Sequence, residues 1–167
     1  MDMSFKLFLR IDGVAGGCAD AEHSGWIEAT AFAHQVSSSP SVAMAAGKTT
    51  HSDYSVVKVV DCSSPILWHL CCSGMGIKEV ILEICCSSDH AQAGGLSRTI
   101  LNDVVISGMA ATTDGGSECP APMETVSFNY ARIRWEYSVQ KEDDEGGSTV
   151  ERGWDLASNQ DFSTFVA

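Results

Sequence analysis

Residues Met123 to Gln140 constrain the fold more than any other stretch. Val126, Phe128 and Tyr130 keep one parity, whereas Ile133, Trp135 and Tyr137 take the other. Side chains on a strand alternate with a period of two, so this phase slip near Ala131-Arg132 predicts a β-bulge in one long, bent strand. A strand that bends while keeping an apolar face lets a sheet curl toward closure.

The rest of the chain supplies partners for it. Ser4 to Asp12 sets Phe5, Leu7, Leu9 and Ile11 against Lys6, Arg10 and Asp12, a half-buried strand ending at the Asp12-Gly13 turn. Trp26 to Val36 places Glu28, Thr30, Phe32 and His34 on one face and Ala29, Ala31 and Ala33 on the other. A face of alanines allows close approach, by a neighbouring subunit or by packing beneath a helix. Asp53 to Asp61, Ile77 to Cys86 and Leu96 to Met109 read as further strands, and Thr149 to Ala157 as a final one. One short helix interrupts them. Ser63 and Ser64 suit its N-cap, Pro65 its first position and Gly74 its left-handed stop, with Ile66, Leu67, Leu70 and Cys71 on one side.

Two segments lack such periods. Ser37 to Ser52 is a long aperiodic loop, the pattern of a functional segment, and Lys141 to Gly147 is an acidic, solvated hairpin loop. With no internal repeat, residues 1–167 read as a single domain with a long loop at 37–52, an acidic hairpin loop at 141–148 and a short C-terminal tail at 160–167.

Charge and cysteine usage narrow the function. Ten basic residues against 22 acidic ones give a net charge of −12, which disfavours nucleic acid and anionic membrane surfaces as partners. No apolar run is long enough for membrane insertion and no export signal stands at the start, so synthesis in the cytoplasm is expected. Seven cysteines, with adjacent pairs at Cys71-Cys72 and Cys85-Cys86, do not form the spaced framework of a disulfide scaffold. They read instead as mostly buried thiols.

Motifs for chemistry are incomplete. Ala46-Gly47-Lys48-Thr49 ends like a phosphate-binding loop, but Val42 stands where its first glycine belongs and no helix pattern follows. His69 and Cys72, with Cys62 or His23, give only a weak metal spacing. Glu22-His23 and Asp89-His90 read as turn residues, and no serine or cysteine nucleophile has its family context. The acidic loop lacks the residue order of a calcium loop. No catalytic residue, metal or cofactor is therefore expected.

The ordered pattern resembles the Hcp family, the haemolysin-coregulated tube proteins of type VI secretion systems. The residues carrying it are Phe8-Leu9-Arg10-Ile11-Asp12-Gly13, His23 with Gly25-Trp26-Ile27-Glu28, and Lys58-Val59-Val60-Asp61 leading into Ser63-Ser64-Pro65. Leu101-Asn102-Asp103-Val104-Val105, Met123 to Ile133, and Gly153-Trp154-Asp155-Leu156 continue it. The resemblance implies a mainly β fold: a barrel of two curled antiparallel sheets with one short α-helix on the side. It also implies a homohexameric ring that stacks into a tube, is expelled by a contractile sheath, and carries effector proteins in its lumen. Partners would be further copies of the chain, sheath and spike components, and effectors, with delivery to the extracellular space or a target cell. On this reading the loop residues Ser39, Pro40, Val42, Met44, Gly47 and Lys48 contact the next ring, and Ala29, Ala31 and Ala33 line the lumen or a subunit interface. A phage-tail tube protein and a free-ring effector chaperone are the alternatives.

Overall fold

The computed structural model describes residues 4–39, 48–87, 95–113, 121–139 and 148–162. In chain order the elements are β1 (Ser4–Ile11), β2 (Ile27–Ala33), β3 (Val36–Ser38), β4 (Thr49–His51), β5 (Tyr54–Val59) and α1 (Ser64–Ser73). β6 (Ile77–Ser87), β7 (Gly95–Thr112), β8 (Met123–Val139), β9 (Thr149–Asp155) and β10 (Gln160–Asp161) follow.

The long strand organises the sheet. One edge of β8 pairs with β7 along almost its whole length. The other edge is divided: Met123 to Phe128 pair with β5, and Arg132 to Ser138 pair with β9. Antiparallel pairing then runs from β5 through β2, β1, β6 and β7 back to β8, closing a six-stranded barrel. β9 and β10 extend the far half of β8, while β3 and β4 form a separate hairpin.

The expected change of face in β8 is present, since Val126, Phe128 and Tyr130 are buried and then Ile133. Its mechanism is not a bulge. The β7–β8 register is unchanged from Leu101↔Ile133 to Val104↔Tyr130, and the irregularity is taken up by Asp103, at φ 53 on the facing strand. Aspartate tolerates that left-handed conformation better than most residues. A register shift does occur further along β7, between Ile106 and Gly108, and another in β2 between Ala29 and Ala31.

Other boundaries also moved. The expected Trp26 to Val36 strand is divided, because the chain leaves the barrel after Ala33 and β3 pairs with β4. The loop at 37–52 is therefore hairpin at its base. The expected tail at 160–167 begins as a strand, since β10 pairs Gln160 with Asp155.

Helix α1 packs against β7 and buries Leu67 and Leu70, leaving Cys71 half-buried and Ile66 exposed. Gly74 ends it at φ 63, its N–H donating to the Leu70 carbonyl. Ser63 takes the N-cap position, as expected of one of the two serines, but neither side chain makes a cap bond, and Pro65 is the second helical residue instead of the first. Ser63 is the N-cap residue, but its hydroxyl donates to Asp61 Oδ1 at 2.5 Å, and the Ser64 hydroxyl donates to Glu124 Oε1 at 2.5 Å.

Those bonds belong to a buried ionic cluster. Lys58 and Glu124 are directly opposite in the β5–β8 ladder and are 0% and 1% exposed. Lys58 Nζ lies 2.6 Å from Glu124 Oε1 and 2.9 Å from Asp61 Oδ1, and Trp68 Nε1–H donates to Glu124 Oε2. Burial alone would raise the Glu124 carboxyl; hydrogen bonds from Lys58, Ser64 and Trp68 outweigh it and hold the group below its ordinary value. Lys58→Met should lower stability by about 3–5 kcal/mol, because it leaves the buried Glu124 carboxylate without its cation, with only Ser64 and Trp68 donating to it. Adding Glu124→Leu should restore most of that loss in urea denaturation, whereas additive losses would contradict the coupling.

Candidate assembly surfaces

The long loop leaves the barrel on a side-chain clamp. Val36 pairs with His51 and Ser38 with Thr49, and Gln35 and Ser52 exchange hydrogen bonds at the junction. His34 Nε2 lies 2.6 Å and His51 Nδ1 3.1 Å from the Tyr130 hydroxyl. His51 also stacks on Trp135, and Thr49 donates to Asn159 Oδ1 at 3.0 Å. Two imidazoles from opposite sides of the loop thus converge on one barrel tyrosine. Sequence reading missed this clamp; its trace is the placement of His34 and His51 at the two ends of the aperiodic segment. Ser39 and Lys48, at the hairpin tips, are exposed, while Pro40, Val42, Met44 and Gly47 lie outside the described residues.

The alanine face does not pack beneath the helix, since α1 lies against β7 and Ala31 and Ala33 are exposed. Ala29 is half-buried against the core. The shift at Thr30 separates Ala29 from the other two, so the three do not continue one regular alternation. β1 pairs with β2 only from Leu7 to Leu9, and a groove of about 180 Å³ opens beyond, lined by Phe5, Lys6, Leu7, Glu28 and Ala29 among others. At the far end of β8, Tyr137 and Val150 face each other across the β8–β9 ladder and are 51% and 61% exposed.

The residues weighed for chemistry are dispersed. His69 and Cys72 are exposed on α1, and Lys48 precedes a strand rather than a helix. Of the described cysteines, Cys18 is buried, Cys71 and Cys85 are half-buried, and Cys62 and Cys72 are exposed, so the expectation of mostly buried thiols fails. Cys62 and Cys72 lie at the entry of α1 and on its outer side, which leaves both exposed. His23 is no simple turn residue: it is 5% exposed, with Nδ1 at 3.1 Å from Asp20 Oδ1 and Nε2 at 2.7 Å from Glu83 Oε2. Asp89 and His90 lie outside the described residues.

Comparison with known proteins bears on this arrangement. The family model described as "Type VI secretion system effector, Hcp" matches residues 8–137. The chain belongs to the Hcp family. A search of curated sequences finds no match. Among solved structures, one titled as a type six secretion system protein aligns with TM-score 0.80 and 26% identity over 95% of this chain and 100% of its own. Hcp1 from Salmonella typhimurium aligns with TM-score 0.76 and 23% identity, over 96% and 100% of the two chains. A type VI secretion system effector from Yersinia pestis gives 0.69 and 23%, over 89% and 98%. The barrel and its lateral helix are thus the fold of Hcp structures.

The clamp gives this Hcp chain a pH dependence. Burial lowers the pKa of His34, which the neighbouring His51 charge lowers further, and burial lowers that of His51. Tyr130, Tyr54 and Trp135 pack around them, and Asp53 lies beside Tyr130. Since the unfolded imidazoles take up protons more readily, this stability is complete above their unperturbed pKa of about 6.5 and is lost as pH falls below it. His51→Gln should flatten the fall in urea midpoint between about pH 7 and pH 5. An unchanged slope would contradict it.

Proposed function

We propose that this chain is the structural tube subunit of a type VI secretion system. Homohexameric rings stack into an inner tube, the sheath expels it, and effector proteins travel in its lumen. The observation that carries this reading is the family match over residues 8–137. The chain works by assembly and not by catalysis. Its partners are its own copies, the sheath and spike components, and the effectors, and it is made in the cytoplasm and then secreted.

The surfaces support this use. A loop reaching the next ring needs a firm root, and His34, His51 and Tyr130 supply one for Ser39, Pro40, Val42, Met44, Gly47 and Lys48. Ala31 and Ala33 are small and exposed, which suits a smooth lumen wall or a close subunit contact. Tyr137 and Val150 add exposed apolar area beyond the barrel for a neighbour to cover.

Light scattering on the purified protein should give six times the 17.8 kDa subunit mass, with rings in negative-stain images. A monomer at high concentration would overturn the assembly. Deleting Val42 to Gly47 should keep the fold and the six-fold mass, since shortening a loop costs little, yet shorten or abolish ring stacks. A deletion that unfolds the barrel would remove the loop from this role.

A further inference from the structure

His23, Glu83 and Cys85 form the one group of three metal-ligand side chains that converge among the described residues, with their ligand atoms all within 4.8 Å of one another. Glu83 and Cys85 are two residues apart on β6, so both point to the same face of the strand, the face covered by the 12–26 segment that carries His23. Glu83 is 5% exposed and Cys85 is half-buried. We propose that these three side chains bind a zinc ion through His23 Nε2, a Glu83 carboxylate oxygen and Cys85 Sγ.

The surroundings are those of an oriented metal site. His23 Nδ1 faces Asp20 Oδ1 at 3.1 Å, which fixes the tautomer that leaves Nε2 as the ligand. The ring is stacked on Phe8 at 3.8 Å between centroids and edges onto Trp26, so its direction is set by packing. Arg98 holds Glu83 Oε1 through Nε and Nη2, leaving Oε2 turned toward His23. One nitrogen, one oxygen and one sulfur ligand match zinc, a borderline-soft ion, better than calcium or magnesium, which take oxygen ligands. A water would complete the tetrahedron. Binding exchanges the ion for the proton between His23 Nε2 and Glu83 Oε2 and for the Cys85 thiol proton, both released to solvent. No electron transfer is involved. The site lies between the 12–26 segment and the barrel wall, so the ion would fasten one to the other.

The test uses the full chain, reduced with a phosphine. Equilibrium dialysis should load one zinc per chain, and cobalt in its place should give a thiolate-to-cobalt charge-transfer band. Cys85→Ser should abolish the band, while Cys62→Ser and Cys72→Ser, at exposed cysteines, should keep both band and stoichiometry. Asp20→Asn, a positioning change on a partly exposed residue, should weaken zinc binding about 10–100-fold with the band's energy unchanged. A chain that takes up no zinc, a band that survives Cys85→Ser in a protein with unchanged circular dichroism, or an Asp20→Asn affinity equal to that of the parent would each overturn the site.

Discussion

Closure of the barrel rests on the β5–β8 ladder, and that ladder carries the buried pair Lys58–Glu124. Each of the six pairings in the circuit is needed for closure, and this one carries a fully buried ion pair. A ladder with apolar residues alone can slip by two and keep its pattern, whereas a lysine and a glutamate facing each other in a dry interior match in one register only. The same pair also fixes α1. Ser64 and Trp68 donate to Glu124, and Asp61 joins Lys58 to the helix entry, so the closure of the barrel and the seating of the helix are one polar cluster.

A second row of interactions crosses the outside of the barrel. Phe8, Glu83, Arg98 and Glu136 are successive cross-strand partners on β1, β6, β7 and β8. Arg98 lies between two carboxylates, Glu83 and Glu136. The 12–26 segment folds over the start of this row. It can do so because Gly16 has no side chain, since a Cβ there would lie 2.1 Å from the Trp26 carbonyl oxygen. Gly16 N–H donates to the Gly25 carbonyl and Cys18 N–H to the Trp26 carbonyl, which brings His23 down onto Phe8.

Much of this was legible in the sequence, and the limits have physical causes. Alternation identified the main strands, because burial on one face writes a period of two directly into residue choice. The change of face in β8 was visible for the same reason. Its cause was not, because the irregular residue, Asp103, sits on another strand some thirty positions earlier and reads as an ordinary polar residue of β7. Ser63 and Ser64 were read as caps because local chemistry favours that role, but a buried carboxylate on β8 competes for one hydroxyl and Asp61 for the other. The clamp of His34 and His51 on Tyr130 and the bonds of His23 to Glu83 escaped because they join residues distant in the chain, which no local period records. The family and its fold were legible from the order of motifs; the roles given to Ala29, Ala31, Ala33 and the loop residues rest on that resemblance.

The interior of the barrel is solid. Leu9, Ile27, Val56, Val126 and Phe128 fill it with almost no exposure, and six strands enclose too narrow a bore for anything but side chains. Nothing can therefore be threaded through one copy of this chain. Any conduit built from it has to be bounded by the outer faces of several copies, so the chemistry a passenger meets would be written in residues that the isolated subunit shows to water, and selection for what may pass would act on the least constrained part of the fold.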